Sequence, residues 1–112
     1  MEGSEKKIME EFHIETDMSE EQDKIFMKIE GRLDTKTAPE LEKEADKAVE
    51  KISSLIMDFT ELDYISSAGL RVLLRTHKAM KAKKGSLIIR GANEEVQEVF
   101  TITGFSDILR LE

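Results

Sequence analysis

Cysteine is absent from the sequence, which excludes disulfides, thiol redox chemistry and cysteine-ligated metal and accords with an intracellular setting. Tryptophan is absent as well, and aromatic residues reach only 5%, so a core has to be assembled from Leu, Ile, Val and Met. No apolar run approaches the roughly 20 residues of a membrane-spanning helix. The charged opening, Met1-Glu2-Gly3-Ser4-Glu5-Lys6-Lys7, lacks the apolar stretch of a signal peptide, so a cytoplasmic location with no membrane partner is expected. Positive charge is in deficit: 17 Lys and Arg stand against 24 Asp and Glu, a net charge of -7. Polyphosphate binding depends on a cationic surface, so this balance disfavours nucleic acid and favours protein partners.

What is present fits one small domain. The 112 residues suffice for a single modest core, and the 37% charged and 39% apolar fractions suit a water-exposed globular surface. From Met9 to Met18 the residues Phe12, Ile14, Thr16 and Met18 alternate with Glu11, His13, Glu15 and Asp17, the period of a half-buried strand. Ile25, Met27 and Ile29 alternate likewise, so a hairpin is expected, with Gly31 breaking the second strand. Thr37 and Glu40 have capping-box spacing around Pro39, which predicts a helix from Ala38 to about Ile52. Ser54 to Asp58 lacks alternation and reads as a strand covered on both faces. A second helix is predicted from Ser67 to Lys84, with Leu70, Leu73, Leu74 and His77 inward and Gly85 ending it. Leu87 to Arg90 reads as a strand parallel to the preceding one, and Asn93 caps a third helix that stops at Gly104. Ile108 to Leu111 suits a short edge strand. Met18, Met27, Met57 and Met80 read as core. The expected fold is α/β: one domain over residues 8–112, after a short flexible stretch 1–7, with a mixed sheet of four to five strands and about three helices mainly on one side.

Function is sought at Tyr64-Ile65-Ser66-Ser67-Ala68-Gly69-Leu70, where a strand passes into a helix and free backbone N–H groups face outward. One serine here serves as an N-cap in the simplest reading. Ser67-Ala68-Gly69 matches the second half of a nucleophile elbow, but Ile65 stands where a small residue is needed. A general base is also missing, since His77 lies about 15 Å along the same helix at 1.5 Å per residue and His13 sits in the first strand. Asp34, Asp58, Glu61 and Asp63 could gather at the strand ends, yet solvated loop acids plus one cap explain them more simply. No phosphate-binding glycine loop occurs, so no nucleotide or other cofactor is expected.

Gly31-Arg32-Leu33-Asp34 with Thr37 and Ala38, Leu55-Ile56-Met57-Asp58-Phe59, Tyr64 through Leu74 and the late Gly104-Phe105 together resemble the STAS-family anti-sigma factor antagonists of bacteria. The resemblance implies a STAS-like fold and a binding module with no catalytic residues. It implies phosphorylation of Ser67, with Ser66 as the runner-up, by an anti-sigma factor that is itself a serine kinase. Family members typically carry Asp where this chain has Ser66. A PP2C-type serine phosphatase would reset the switch. The implied partner-binding residues are Asp34, Thr37, Tyr64, Ser66, Ser67, Ala68, Gly69 and Arg71, in a monomer or weak dimer. A transporter accessory subunit without phosphorylation, and a small hydrolase, are the alternative expectations.

Overall fold

The computed structural model describes residues 4–9, 12–17 and 23–112, the first of these by backbone alone. Among the described residues seven strands form one mixed sheet. β1 (Ser4–Met9), β2 (Phe12–Asp17) and β3 (Lys24–Leu33) pair antiparallel in sequence order, and β4 (Ser54–Asp58), β6 (Ser86–Arg90) and β7 (Arg110–Leu111) continue parallel to β3. β5 (Leu62–Ile65) runs parallel to the far end of β3. Three helices, α1 (Ala38–Val49), α2 (Ser67–Ala82) and α3 (Glu94–Thr103), complete the domain with a short 3-10 turn at Phe105–Asp107.

The α/β class, the three helices and the mixed sheet agree with the sequence, but the sheet has seven strands where four to five are expected. One additional strand is β1, since Ser4–Lys7 pair with β2 and are not the flexible lead expected over residues 1–7. Backbone hydrogen bonds to the edge of β2 are sufficient for such a strand, so its side chains need not alternate. The expected first strand from Met9 to Met18 is correspondingly divided, with Met9 in β1 and Phe12–Asp17 in β2; Met18 lies outside the described residues. The other addition is β5, for which the sequence predicts no separate strand.

Gly31 does not break β3. It adopts φ 100 and pairs with Leu62, and the register shifts between Gly31 and Arg32, which faces Tyr64, so one ten-residue strand pairs with β4 first and with β5 at its far end. The extra residue of this irregularity is Asp63 on β5, which leaves pairing on either side intact, and across from it glycine accepts the positive φ on β3.

Alternation in β2 and β3 turns Phe12, Ile14, Ile25, Met27 and Ile29 toward the helices, where all are essentially buried. Leu55, Met57, Leu87 and Ile89 extend this layer through the parallel register. Each such side chain contributes roughly 1.5–3 kcal/mol of transfer free energy. On the opposite face Phe26 is 43% exposed, while Ile56 and Ile88, aligned with it in register, are buried. Met27, Met57 and Met80 are fully buried, as their pattern predicts. On α2 the buried stripe is Leu70, Leu73, Thr76 and Met80, whereas Leu74 and His77 are only partly covered. Thr76 is tolerated inside because its hydroxyl donates to the Val72 carbonyl at 2.8 Å.

Candidate functional site

The site is built where β3 and β5 end together. Parallel pairing sets Arg32 opposite Tyr64 and Leu33 opposite Ile65, and the Ser66 N–H donates to the Leu33 carbonyl at 2.9 Å. The Asp34 turn and the serine turn are therefore neighbours. Asn93 secures β5 from the other side, its side-chain N–H donating to Leu62 O at 3.1 Å while its oxygen caps α3 by accepting from Val96 N–H at 2.8 Å.

The two serines divide their tasks. Ser66 has an extended backbone and caps α2, its hydroxyl accepting from the Gly69 N–H at 3.4 Å. Ser67 is the first helical residue and is exposed, and among the described residues its hydroxyl has no hydrogen-bond partner. Gly69 is buried rather than presented to solvent: a Cβ there would stand 2.7 Å from Leu33 Cγ and 3.0 Å from Ile65 Cγ1. Its role is close packing, which brings the first turn of α2 down onto the ends of β3 and β5.

Thr37 is likewise inside, at 5% exposure, and the predicted capping box does not form. Its hydroxyl faces backward, donating to Arg32 O at 2.8 Å and accepting from the Asp34 N–H at 2.9 Å. Glu40 Oε2 is buried with no hydrogen-bond partner among the described residues. Asp34 takes over the helix entry, its Oδ1 accepting from the Lys36 N–H at 3.0 Å and the Thr37 N–H at 3.2 Å. Short polar side chains bond readily to backbone groups outside the helix, and the Thr37 hydroxyl, engaged with Arg32 and Asp34, is not available to cap α1.

Partial burial pushes the Asp34 carboxyl upward, but hydrogen bonds from Thr37 and Lys36 and the charge of Arg32 outweigh it, leaving the group below its ordinary 3.8. Because the folded value is the lower one, the carboxylate's stabilisation of the turn is complete above pH 3.8 and is lost as pH falls through the folded-state pKa. A carboxyl NMR titration should accordingly find the Asp34 midpoint below 3.8; a midpoint at or above that value contradicts the hydrogen-bonded turn.

Arg32, absent from the sequence-based site, links its parts. Its guanidinium lies 4.2 Å from the Tyr64 ring centroid, and Nε is 3.9 Å from Asp34 Oδ2. Tyr64 itself is 41% exposed. Only the pairing of β3 with β5 makes this contact visible, because the two residues are far apart in sequence. Asp34, Tyr64, Ser66, Ser67, Ala68 and Arg71 thus share one end of the domain, with Thr37 and Gly69 beneath them. Asp58 folds into a turn of its own, accepting from the Thr60 N–H at 2.9 Å and the Thr60 hydroxyl at 2.7 Å. Among the described residues no group of three or more His, Cys, Asp or Glu is placed to hold a metal, and no described helix is long and apolar enough to cross a membrane.

A serine-bearing strand-to-helix turn beside an aspartate turn, on a mixed sheet with three helices, is the architecture of a STAS domain. The chain belongs to the STAS domain family, which it matches over residues 15–112. It is 38% identical over 81 residues to BtrV of Bordetella bronchiseptica, covering 71% of this chain and 70% of that one. It is 30% identical over 97 residues to the anti-sigma-B factor antagonist of Bacillus subtilis, covering 87% and 89%. In fold it resembles the unphosphorylated anti-sigma factor antagonist SpoIIAA, with TM-score 0.71 at 15% identity over 98% of this chain and 88% of that one. An anti-sigma factor antagonist from Mycobacterium paratuberculosis superposes with TM-score 0.70 at 18% identity, covering 99% and 85%.

Proposed function

We propose that this protein is an anti-sigma factor antagonist whose binding surface is switched by phosphorylation of Ser67. Unphosphorylated, the turn at Ser66–Ala68 and the adjoining face of α2 dock on an anti-sigma factor and so release its sigma factor. That anti-sigma factor is the serine kinase, using ATP and Mg²⁺, and a PP2C-type phosphatase reverses the modification. The protein is a binding module and a kinase substrate in this scheme, not an enzyme.

The observation that carries the reading is the exposed Ser67 hydroxyl at the first turn of α2, with the neighbouring Ser66 already engaged as cap. A kinase needs an accessible hydroxyl, and Ser67 supplies one without dismantling the helix. A phosphate adds about -1.5 to -2 charges. At a helix N-terminus the domain itself tolerates that anion, since the dipole and free N–H groups favour it. The docking surface does not, because ionised Asp34 lies on the adjoining strand end and a partner would have to desolvate both charges. Switching therefore needs local electrostatics and no refolding.

Incubation with the cognate anti-sigma kinase and ATP, followed by phosphosite mapping, tests this. Modification is expected at Ser67 and abolished by Ser67→Ala; phosphate that persists in Ser67→Ala at a site other than Ser66, or no phosphate on the wild type, would sink the proposal.

A further inference from the structure

Beside the serine turn, α1 and α2 leave a groove of about 580 Å³ between them. Pro39, Ala68 and Leu74 give it an apolar lining, and Arg71 and Lys78 stand on its rim. The charges on this rim depart from those of the whole chain. The net charge is -7, yet α2 carries Arg71, Arg75, Lys78 and Lys81 without one acidic residue.

Packing against α1 accounts for only part of that positive charge. Arg75 is held by Glu42 at 3.2 Å and Asp46 at 3.1 Å, fastening α2 to α1. Beyond the end of α2, Lys83 Nζ donates to Val49 O and to Ile52 O, capping the carbonyl end of α1. Arg71 and Lys78 are exposed, and among the described residues neither has an ion-pair partner. Seven residues apart, they lie two helical turns from each other on one side of α2, about 10.5 Å along its axis. Two unengaged cations at that spacing, with an apolar trough between them, define a surface for a ligand that is both acidic and apolar.

The geometry points to the groove between α1 and α2 as the seat of an acidic segment of the partner protein, carrying one aliphatic side chain into the trough and carboxylates toward Arg71 and Lys78. The inference rests on the partner-binding reading above and adds the chemistry of what is bound. The apolar lining separates this occupant from a nucleic-acid strand, whose phosphates gain nothing from Pro39, Ala68 and Leu74. An acidic segment also explains why Ser67, at the same end of α2, is an effective place to add negative charge: phosphate there raises the cost of bringing a second anion to the groove.

The test is calorimetric titration of the anti-sigma factor into the wild type and into Arg71→Glu/Lys78→Glu, at low and at high salt. Neither side chain supports the fold, so the variant should melt with the wild type. Its affinity is expected to fall about tenfold or more at low salt, with a flatter salt dependence, as for complementary charges across an interface. Exchanging an acidic residue of the partner's segment for lysine should restore part of the loss. Wild-type binding with equal affinity and salt slope in the double variant overturns the groove assignment while leaving the proposed function intact. Absence of any wild-type binding overturns both. Oligonucleotide binding lost in the double variant, with partner affinity unchanged, would assign the surface to nucleic acid instead.

Discussion

Replacing Ser67 with aspartate is expected to weaken binding to the anti-sigma factor by roughly thirty-fold or more, corresponding to about 2 kcal/mol for an interface charge left unpaired on docking. The domain should not suffer. A carboxylate at the first position of α2 meets the positive end of the helix dipole and exposed N–H groups, so the melting temperature should hold or rise slightly. Ser67→Ala removes only an exposed hydroxyl without a hydrogen-bond partner among the described residues, and should bind like the wild type while refusing phosphate. Ser66→Ala should behave in the opposite way. It deletes the cap that accepts from the Gly69 N–H, costing about 0.5–1 kcal/mol of stability, while leaving the acceptor in place. Calorimetry with the partner and thermal melts on the three variants check all of these at once; loss of stability without loss of binding in Ser67→Asp would contradict the division of labour between the serines.

A second large effect is expected at the end of α2, where the sequence points to the wrong reason for a glycine. Gly85 reads as the left-handed stop of the helix, but the left-handed residue is Lys84, with φ 63. What requires glycine at 85 is proximity: a Cβ would lie 2.4 Å from the Ser53 backbone oxygen. Two backbone hydrogen bonds lock that approach, Gly85 N–H to Met80 O at 2.7 Å and Ser86 N–H to Ser53 O at 2.9 Å. Because the obstructing atom is main chain, it cannot swing aside as a side chain would. Gly85→Ala should therefore cost about 2 kcal/mol or more, lowering the melting temperature by roughly 8 °C or more. Lys84→Gly should stabilise by about 0.5 kcal/mol, since relief of left-handed strain exceeds the added chain entropy only modestly. Denaturant or thermal unfolding of the two variants distinguishes the roles; an unaffected Gly85→Ala would mean that the strands separate there without penalty.

The same contrast between local signal and tertiary cause runs through the site. Asn93 and Gly104 are as legible in sequence as any residues in the chain: one caps α3 and the other ends it at φ 83, because each acts within one turn of its own helix. Thr37 and Glu40 have equally good local spacing and fail. Asp34, three residues upstream of Thr37, binds the Lys36 and Thr37 N–H groups ahead of the helix, while the Thr37 hydroxyl is drawn away from the Glu40 N–H to the Arg32 carbonyl at the end of β3.

Residue order by itself determined the alternation that buries Ile25, Met27 and Ile29, the three helices, and a serine at the entry to α2, since periodicity and helix capping are effects of near neighbours. Only the tertiary structure decided that β3 continues through Gly31, so that its far end pairs with β5 and Arg32 settles between Tyr64 and Asp34. The β3–β5 pairing and the Arg32–Tyr64 contact join segments about thirty residues apart, and strand pairing at that range leaves no period in either segment. It likewise decided which serine is engaged and which is offered: both stand at one turn in the sequence, but the folded backbone directs Ser66 into the cap and Ser67 outward.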